Sequence, residues 1–201
     1  MRKIIVQEMI TIDGVMQAPG GQEEDTSGGF EYGGWGVPYF SAGTDAAFDA
    51  IMEKWMRSTD ILLGKNTFQI FEPYWPQHAD DWAGINEVNK YVLSTSLNHS
   101  DWQNTVFLNS INDVINLKAA EGGDIRVHGS ATLVQTLFQH DLVDELYLLT
   151  FPVVLGKGKR LFNERSVPKS FQLVDHAVAA NGVLFSHYQK VGEVQTGTFE
   201  D

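Results

Sequence analysis

The 201-residue chain contains no cysteine. Disulfides, a thiolate nucleophile and cysteine-ligated zinc are thereby excluded, and no other metal-ligand set suggests itself. Basic residues are scarce: 14 Lys and Arg stand against 26 Asp and Glu, a formal net charge of −12. The phosphate backbone of a nucleic acid selects for far more clustered positive charge than this. Any phosphate the protein meets has to be met locally. Long apolar runs are also missing, since the opening MRKIIVQEMITID breaks at Gln7 and Glu8 before a signal-peptide core or a membrane span is reached. A cytoplasmic protein with no nucleic-acid or membrane partner is therefore expected. Its hydrophobic content of 43% suffices for one substantial core. Residues 1–191 are read as a single domain and 192–201, GEVQTGTFED, as a frayed C-terminal tail.

Glycine is plentiful, and its placement is informative. Nine of the nineteen glycines fall between Asp13 and Gly43. Phe30, Tyr32, Trp35, Tyr39 and Phe40 lie among them and argue against simple disorder, because aromatic rings gain much by burial. The segment is expected to be an ordered loop over a pocket. A helix follows over 44–57, with Thr44 as N-cap and Phe48, Ile51, Met52, Trp55 and Met56 on one stripe. Elsewhere short apolar strands precede helices: 3–12, 61–63, 90–96 and 125–128 read as strands, and SINDVINLKAA as a helix opened by Ser110 and Asp113. ELYLLTFPVVLG closes the series as one long strand, and Asn181-Gly182 joins two final strands in a hairpin. Strands alternating with helices imply an α/β fold, with a mostly parallel central sheet flanked by helices and a C-terminal antiparallel hairpin.

In such sheets ligands bind beyond the carboxyl ends of the strands. Three strand ends carry phosphate-compatible groups: Gly64 to Thr67, Ser94 to Ser96, and Gly129 to Leu133. In IRVHGSATLVQTLFQ, Leu133, Val134, Leu137 and Phe138 share a helical stripe, so Gly129-Ser130 is a strand-to-helix turn. Such a turn aims unpaired N–H groups at open space, where an anion is attracted. The plainer alternative is that Gly129 permits the turn and Ser130 caps the helix. Three turns on one edge suggest a long polyanion such as a dinucleotide.

ITIDG (10–14), LLGKNTF (62–68), YVLSTS (91–96), HGSATL (128–133) and LVDELYLLTFPVVLGKGKRLF (142–162) together resemble the C-terminal reductase domain of the bifunctional riboflavin-biosynthesis deaminase-reductase. GGWGVPYF (33–40) is similar to that domain's stand-alone relatives. The resemblance spans roughly residues 3–190 and implies a dihydrofolate reductase-like fold, NADPH as cofactor, and hydride transfer to a carbon–nitrogen double bond or ring-opened imine of a small heterocycle. It implies that Lys65, Asn66 and Thr67, after Gly64, face the adenosine-side phosphates. Ser94 and Thr95 would meet the ribose and its 2′-phosphate. Gly129, Ser130, Ala131, Thr132 and Leu133 would bring N–H groups to the pyrophosphate, Met9 and Met16 would flank the nicotinamide, and Gly156 would border the substrate. A homodimer built on strand 146–154 and the hairpin is also implied. Two residues depart from the family pattern: Ser130 stands where relatives have a second glycine, and Lys65 where they often have arginine. The deaminase half has no counterpart.

Asp13 is the candidate proton donor, with a turn-forming role before Gly14 as its alternative. Asp45 and Asp49 are candidates for the carboxylate that dihydrofolate reductases place against the pterin, or else helix-start charges. His128 reads as a catalytic acid or as a strand-end residue bonded to backbone. Trp35, with Tyr39 and Phe40, would stack on the substrate or anchor the loop. Trp75 and Trp82 suit a subunit contact or the core. The readings that compete with the reductase are dihydrofolate reductase itself and a non-catalytic nucleotide-binding module.

Overall fold

The computed structural model describes residues 1–41, 45–164 and 166–199. Among them, thirteen helices and strands of the α and β types follow in the order β1 (Ile4–Thr11), α1 (Val37–Ser41), α2 (Ala46–Trp55), β2 (Asp60–Gly64), α3 (Lys65–Phe71), β3 (Lys90–Leu93), β4 (Thr105–Leu108), α4 (Ile111–Ala119), β5 (Ile125–His128), α5 (Ala131–Gln139), β6 (Glu145–Phe151), β7 (Ser170–Val178) and β8 (Leu184–Gly192). The strands form one sheet in the order β4-β3-β2-β5-β1-β6-β8-β7. The pairings from β4 to β6 are parallel, and β8 and β7 extend the β6 edge as an antiparallel hairpin. This is the architecture expected from the sequence. No helix of the described residues is long and apolar enough to cross a membrane.

The central strands are buried on both faces, which is why β1 and β2 read as near-continuous apolar runs. On one face Val6, Val127, Leu133, Val134 and Leu137 pack together beneath α5. On the other, Phe48, Ile51 and Trp55 of α2 meet Leu149, Phe151 and Phe185. α2 is capped by Asp45, whose carboxylate accepts from Phe48 N–H at 2.9 Å; Thr44, the expected cap, lies outside the described residues. α4 has the expected capping box, with Ser110 and Asp113 bonded reciprocally.

Two expectations are corrected. The last parallel strand stops at Phe151 instead of running to 154, because Pro152 has no N–H to give to the ladder. β4, unread in the sequence, is a four-residue edge strand whose Val106 is exposed.

The glycine-rich loop is seated in the core. Phe30 and Trp35 are buried, the Trp35 indole N–H donates to Gln17 O at 2.7 Å, and its ring meets Phe151 edge-on. Its base is stitched to the segment after β6. Val15 and Arg160 form a β-bridge, Met16 N–H donates to Lys159 O at 2.8 Å, and Leu161 N–H donates to Gly14 O at 3.0 Å. Three ion pairs follow the same line: Asp13–Arg160 at 3.0 Å, Asp25–Lys159 at 2.6 Å and Glu31–Lys157 at 2.8 Å.

Candidate functional site

β2 lies between β3 and β5, with Gly64 in register with Leu93 and Leu62 with Val127. The three turns singled out in the sequence therefore leave the sheet side by side. Two of them interlock. The Ser130 hydroxyl accepts from Gly64 N–H at 2.9 Å and shares a 2.6 Å hydrogen bond with the Thr67 hydroxyl. Both glycines are required by this approach. A Cβ on Gly64 would stand 2.6 Å from Ser130 Oγ, and one on Gly129 would stand 2.9 Å from Thr67 Cγ2 and Oγ1. Gly129 (φ 60°) and Ser130 (φ 62°) are both left-handed. Ser130 makes no cap bond, so the capping alternative is not what its hydroxyl does.

The first intrahelical bond of α5 runs from Val134 N–H to Ser130 O, which leaves the amides of Ala131, Thr132 and Leu133 as the open first turn. Gly129 differs from the expectation. Its N–H points inward and donates to Glu8 Oε2 at 3.2 Å, so it is not presented to a ligand. The third turn joins through Lys65, whose ammonium donates to Ser96 Oγ at 3.0 Å. Ser94 is buried, and its hydroxyl accepts from Ser96 N–H and Leu97 N–H, so it shapes its own turn, while Thr95 and Ser96 are exposed. Asn66 is exposed on α3. Lys65, Thr95, Ser96, Asn109, Ser110 and Thr136 line a cleft of about 370 Å³.

The other end of the site departs further from expectation. Asp13 accepts from Thr11 Oγ1 at 2.6 Å, Gly156 N–H at 2.9 Å, Leu155 N–H at 3.2 Å and Arg160 at 3.0 Å. The Thr11 hydroxyl above all, helped by those amides and the guanidinium, holds its carboxyl below the usual carboxylate range. A proton donor needs the opposite shift, so Asp13 is an anchor that ties the loop to Gly156. Asp45 is engaged with Phe48 N–H and Ala180 N–H, and Asp49 is exposed in the first turn of α2. Trp35 is the anchor described above and not an open stacking platform. Met9, half-buried, packs on the α2 side of the sheet, and Met16 is buried with the α5 side.

His128 is buried, and its Nε2 has no partner among the described residues. Burial first, and Arg126 second, push its pKa down to about 3, so the ring is neutral at physiological pH. It lies beside Gln7, its register partner on β1, and Trp82 meets it edge-on at 5.0 Å. Gln7 Oε1 and Trp82 Nε1 are likewise buried without a partner.

Residues 2–185 match the family model described as the RibD C-terminal domain. The chain belongs to that family. The family's domain thus spans nearly the whole chain, and with it comes a riboflavin-pathway, reductase-like lineage. Among curated proteins, the chain is 28% identical over 191 residues to the uncharacterised Bacillus subtilis protein YyaP, covering 91% of this chain and 92% of that protein. It is 28% identical over 109 residues to the uncharacterised YwjB of the same organism, covering 52% of this chain and 58% of that one. A solved structure described as a riboflavin biosynthesis protein from Shewanella sp. PV-4 superposes with a TM-score of 0.62 at 20% identity, covering 94% of this chain and 99% of that chain, and shows the same fold.

Within this RibD C-terminal domain several groups escaped the sequence reading. Asn109, Ser110, Ile111 and Thr136 border the cleft, and the capping box at Ser110 was the available signal that a helix starts there. Gln7 and Glu8 were legible only as an interruption of an apolar strand. Two adjacent polar residues on a strand buried on both faces are a sign of special use, because each needs a partner in the interior.

Proposed function

We propose that this chain is an NADPH-dependent reductase that transfers a hydride to a carbon–nitrogen double bond or ring-opened imine of a small heterocycle, as in 5-amino-6-(5-phosphoribosylamino)uracil reduction in the riboflavin pathway. The observation that carries this reading is the convergence of Lys65, Thr67, Thr95, Ser96 and the open first turn of α5 at the carboxyl ends of three adjacent strands. A dinucleotide carries phosphates that this combination of one cation, hydroxyls and open helix amides would suit. Gly64 and Gly129 let two of these turns pack directly on each other, since a Cβ on either would meet Ser130 or Thr67.

In this reading Lys65, Thr95 and Ser96 would hold the 2′-phosphate and ribose. Thr67 and the amides of Ala131, Thr132 and Leu133 would hold the pyrophosphate, and the backbone of Met9 would border the nicotinamide. When bound, NADPH supplies the hydride. The chain's part is to orient the acceptor. Gln7 Oε1, His128 Nε2 and Trp82 Nε1, on the α2 side of the sheet, are the buried polar atoms that a heterocycle with adjoining N–H and C=O groups would satisfy. Neither His128, neutral at physiological pH, nor the anchored Asp13 is a competent acid, which leaves water to protonate the acceptor nitrogen. The dihydrofolate alternative is disfavoured by α2, whose two first-turn carboxylates are a helix cap and an exposed residue.

We further propose a homodimer: the outermost strand β7 exposes Leu173, Val174 and Val178. Calorimetric titration with NADPH and NADH, followed by NADPH oxidation against a panel of pyrimidines, pteridines and cyclic imines, tests the reductase reading. Failure to bind either dinucleotide would overturn it.

A further inference from the structure

Glu8 stands in the middle of β1, 4% exposed, and among the described residues no basic group pairs with it. Strand alternation puts it on the same face as Val6 and Ile10 and opposite Gln7, whose amide donates to Trp55 O of α2 at 2.9 Å. Glu8 is level with Leu148 of β6 on one side and follows the Gln7–His128 pair on the other, which brings it beside Gly129. Its Oε2 accepts from Gly129 N–H at 3.2 Å, and its Oε1 has no partner among the described residues.

The elements packed against that face bring no compensating charge. α5, Ala131–Gln139, has no titratable side chain. On β5, Arg126 and His128 point to the α2 side, where Arg126 donates to Trp55 O. On β6, Glu145 is bonded to Lys3 and His187, and Tyr147 packs against Phe185. Arg160, in the segment stitched to the loop, is paired with Asp13. Burial therefore pushes the Glu8 carboxyl well above the ordinary glutamate range, with the Gly129 N–H opposing it only in part.

A buried carboxyl is costly unless it does something an apolar residue cannot. Here it faces a turn with two consecutive left-handed residues, one of them a serine. Such a conformation persists only where the surroundings over-determine it. Ser130 Oγ fixes the turn from the cleft side through Gly64 and Thr67, and Glu8 is the only bond that fixes it from the core side among those described. We propose that Glu8 is a positioning residue for the anion-binding turn: by accepting from Gly129 N–H it holds Gly129-Ser130 in the pose that aims the first amides of α5 into the cleft. This rests on the reading of the cleft as a dinucleotide site.

The test compares Glu8→Gln and Glu8→Met with the parent chain by NADPH affinity, urea unfolding and hydrogen exchange at the Gly129 amide. Glutamine keeps an acceptor for Gly129, so Glu8→Gln is expected to bind NADPH as the parent does at neutral pH. Methionine fills the space without an acceptor. Glu8→Met is expected to weaken NADPH about tenfold or more and to expose the Gly129 amide to exchange, while its unfolding midpoint moves little, because removal of a buried carboxyl offsets the amide left unpaired.

The alkaline limb reports on the fold and not on the turn. Burial raises the Glu8 carboxyl, so it favours folding while protonated and that contribution is lost as pH rises through the folded value. The parent's unfolding midpoint should therefore fall in alkaline solution more than that of Glu8→Gln. Unchanged affinity and unchanged Gly129 protection in Glu8→Met would overturn the proposal. If the parent binds no nicotinamide dinucleotide, the reductase reading fails instead, and Gly129 exchange in the three proteins still decides the role of Glu8.

Discussion

The hydroxyls of Thr67 and Ser130 lie 2.6 Å apart although 63 residues separate them in the chain. Through that contact, and the bond from Gly64 N–H, the turn after β2 and the turn after β5 are tied together. Ser130 takes a left-handed backbone to make it, which costs a residue with a Cβ about 1 kcal/mol or more. Ser130→Ala should lose about 1–3 kcal/mol in urea unfolding, because a buried N–H is left unpaired. Ser130→Gly loses the same hydroxyl but relieves the backbone, and should be less destabilised than the alanine variant. Equal losses in the two variants would show that the strain is not there.

Gly129→Val tests the fit of the turn. The added Cβ would meet Thr67 at 2.9 Å, and a β-branched residue resists the φ of 60° found here. NADPH binding should disappear, with a lowered unfolding midpoint. A folded Gly129→Val protein that binds NADPH normally would remove this turn from the site.

Lys65 is the cation of the cleft, so Lys65→Ala should weaken NADPH by about 1.5–3 kcal/mol, the worth of a charge-assisted hydrogen bond, and leave NADH nearly unchanged. The comparison of the two dinucleotides by calorimetry is the measurement. Equal losses would move the 2′-phosphate away from Lys65.

The proposed dimer is checked by light scattering at micromolar concentration. A mass of two chains is expected, and Val178→Lys on the exposed face of β7 should shift it towards one. A parent that scatters as a single chain would refute the assembly.

Much of the sheet was legible because its strands carry their own signature. β1 and β2 are largely apolar and buried on both faces, β5 alternates Ile125 and Val127 with Arg126 and His128, and each is followed by glycine or polar turn chemistry. β4 was not legible, since its four residues alternate weakly and one face looks at solvent. Pro152 was visible but was read through, where its missing N–H should have ended the strand. The three turns of the cleft were readable as phosphate-compatible, but the roles within them were not. That Ser130 binds another turn, and that Gly129 turns its amide to Glu8, depend on neighbours more than sixty residues away. Asp13 was ambiguous for the same reason: only the arrival of Arg160 and the amides of Leu155 and Gly156 makes it an anchor.

The three ion pairs that fasten the glycine-rich loop run in opposite directions along the two segments: 13 with 160, 25 with 159, 31 with 157. Their acidic partners are progressively more exposed, 18% for Asp13, 26% for Asp25 and 74% for Glu31. Added salt screens exposed pairs most. The loop is thus a zipper with a preferred loose end, opening from Glu31 inward and halting at the Val15–Arg160 bridge. Limited proteolysis in rising salt should cut around Gly28-Gly29 well before any site near Gly14. Simultaneous cleavage along the whole segment would mean that the loop opens as a single flap.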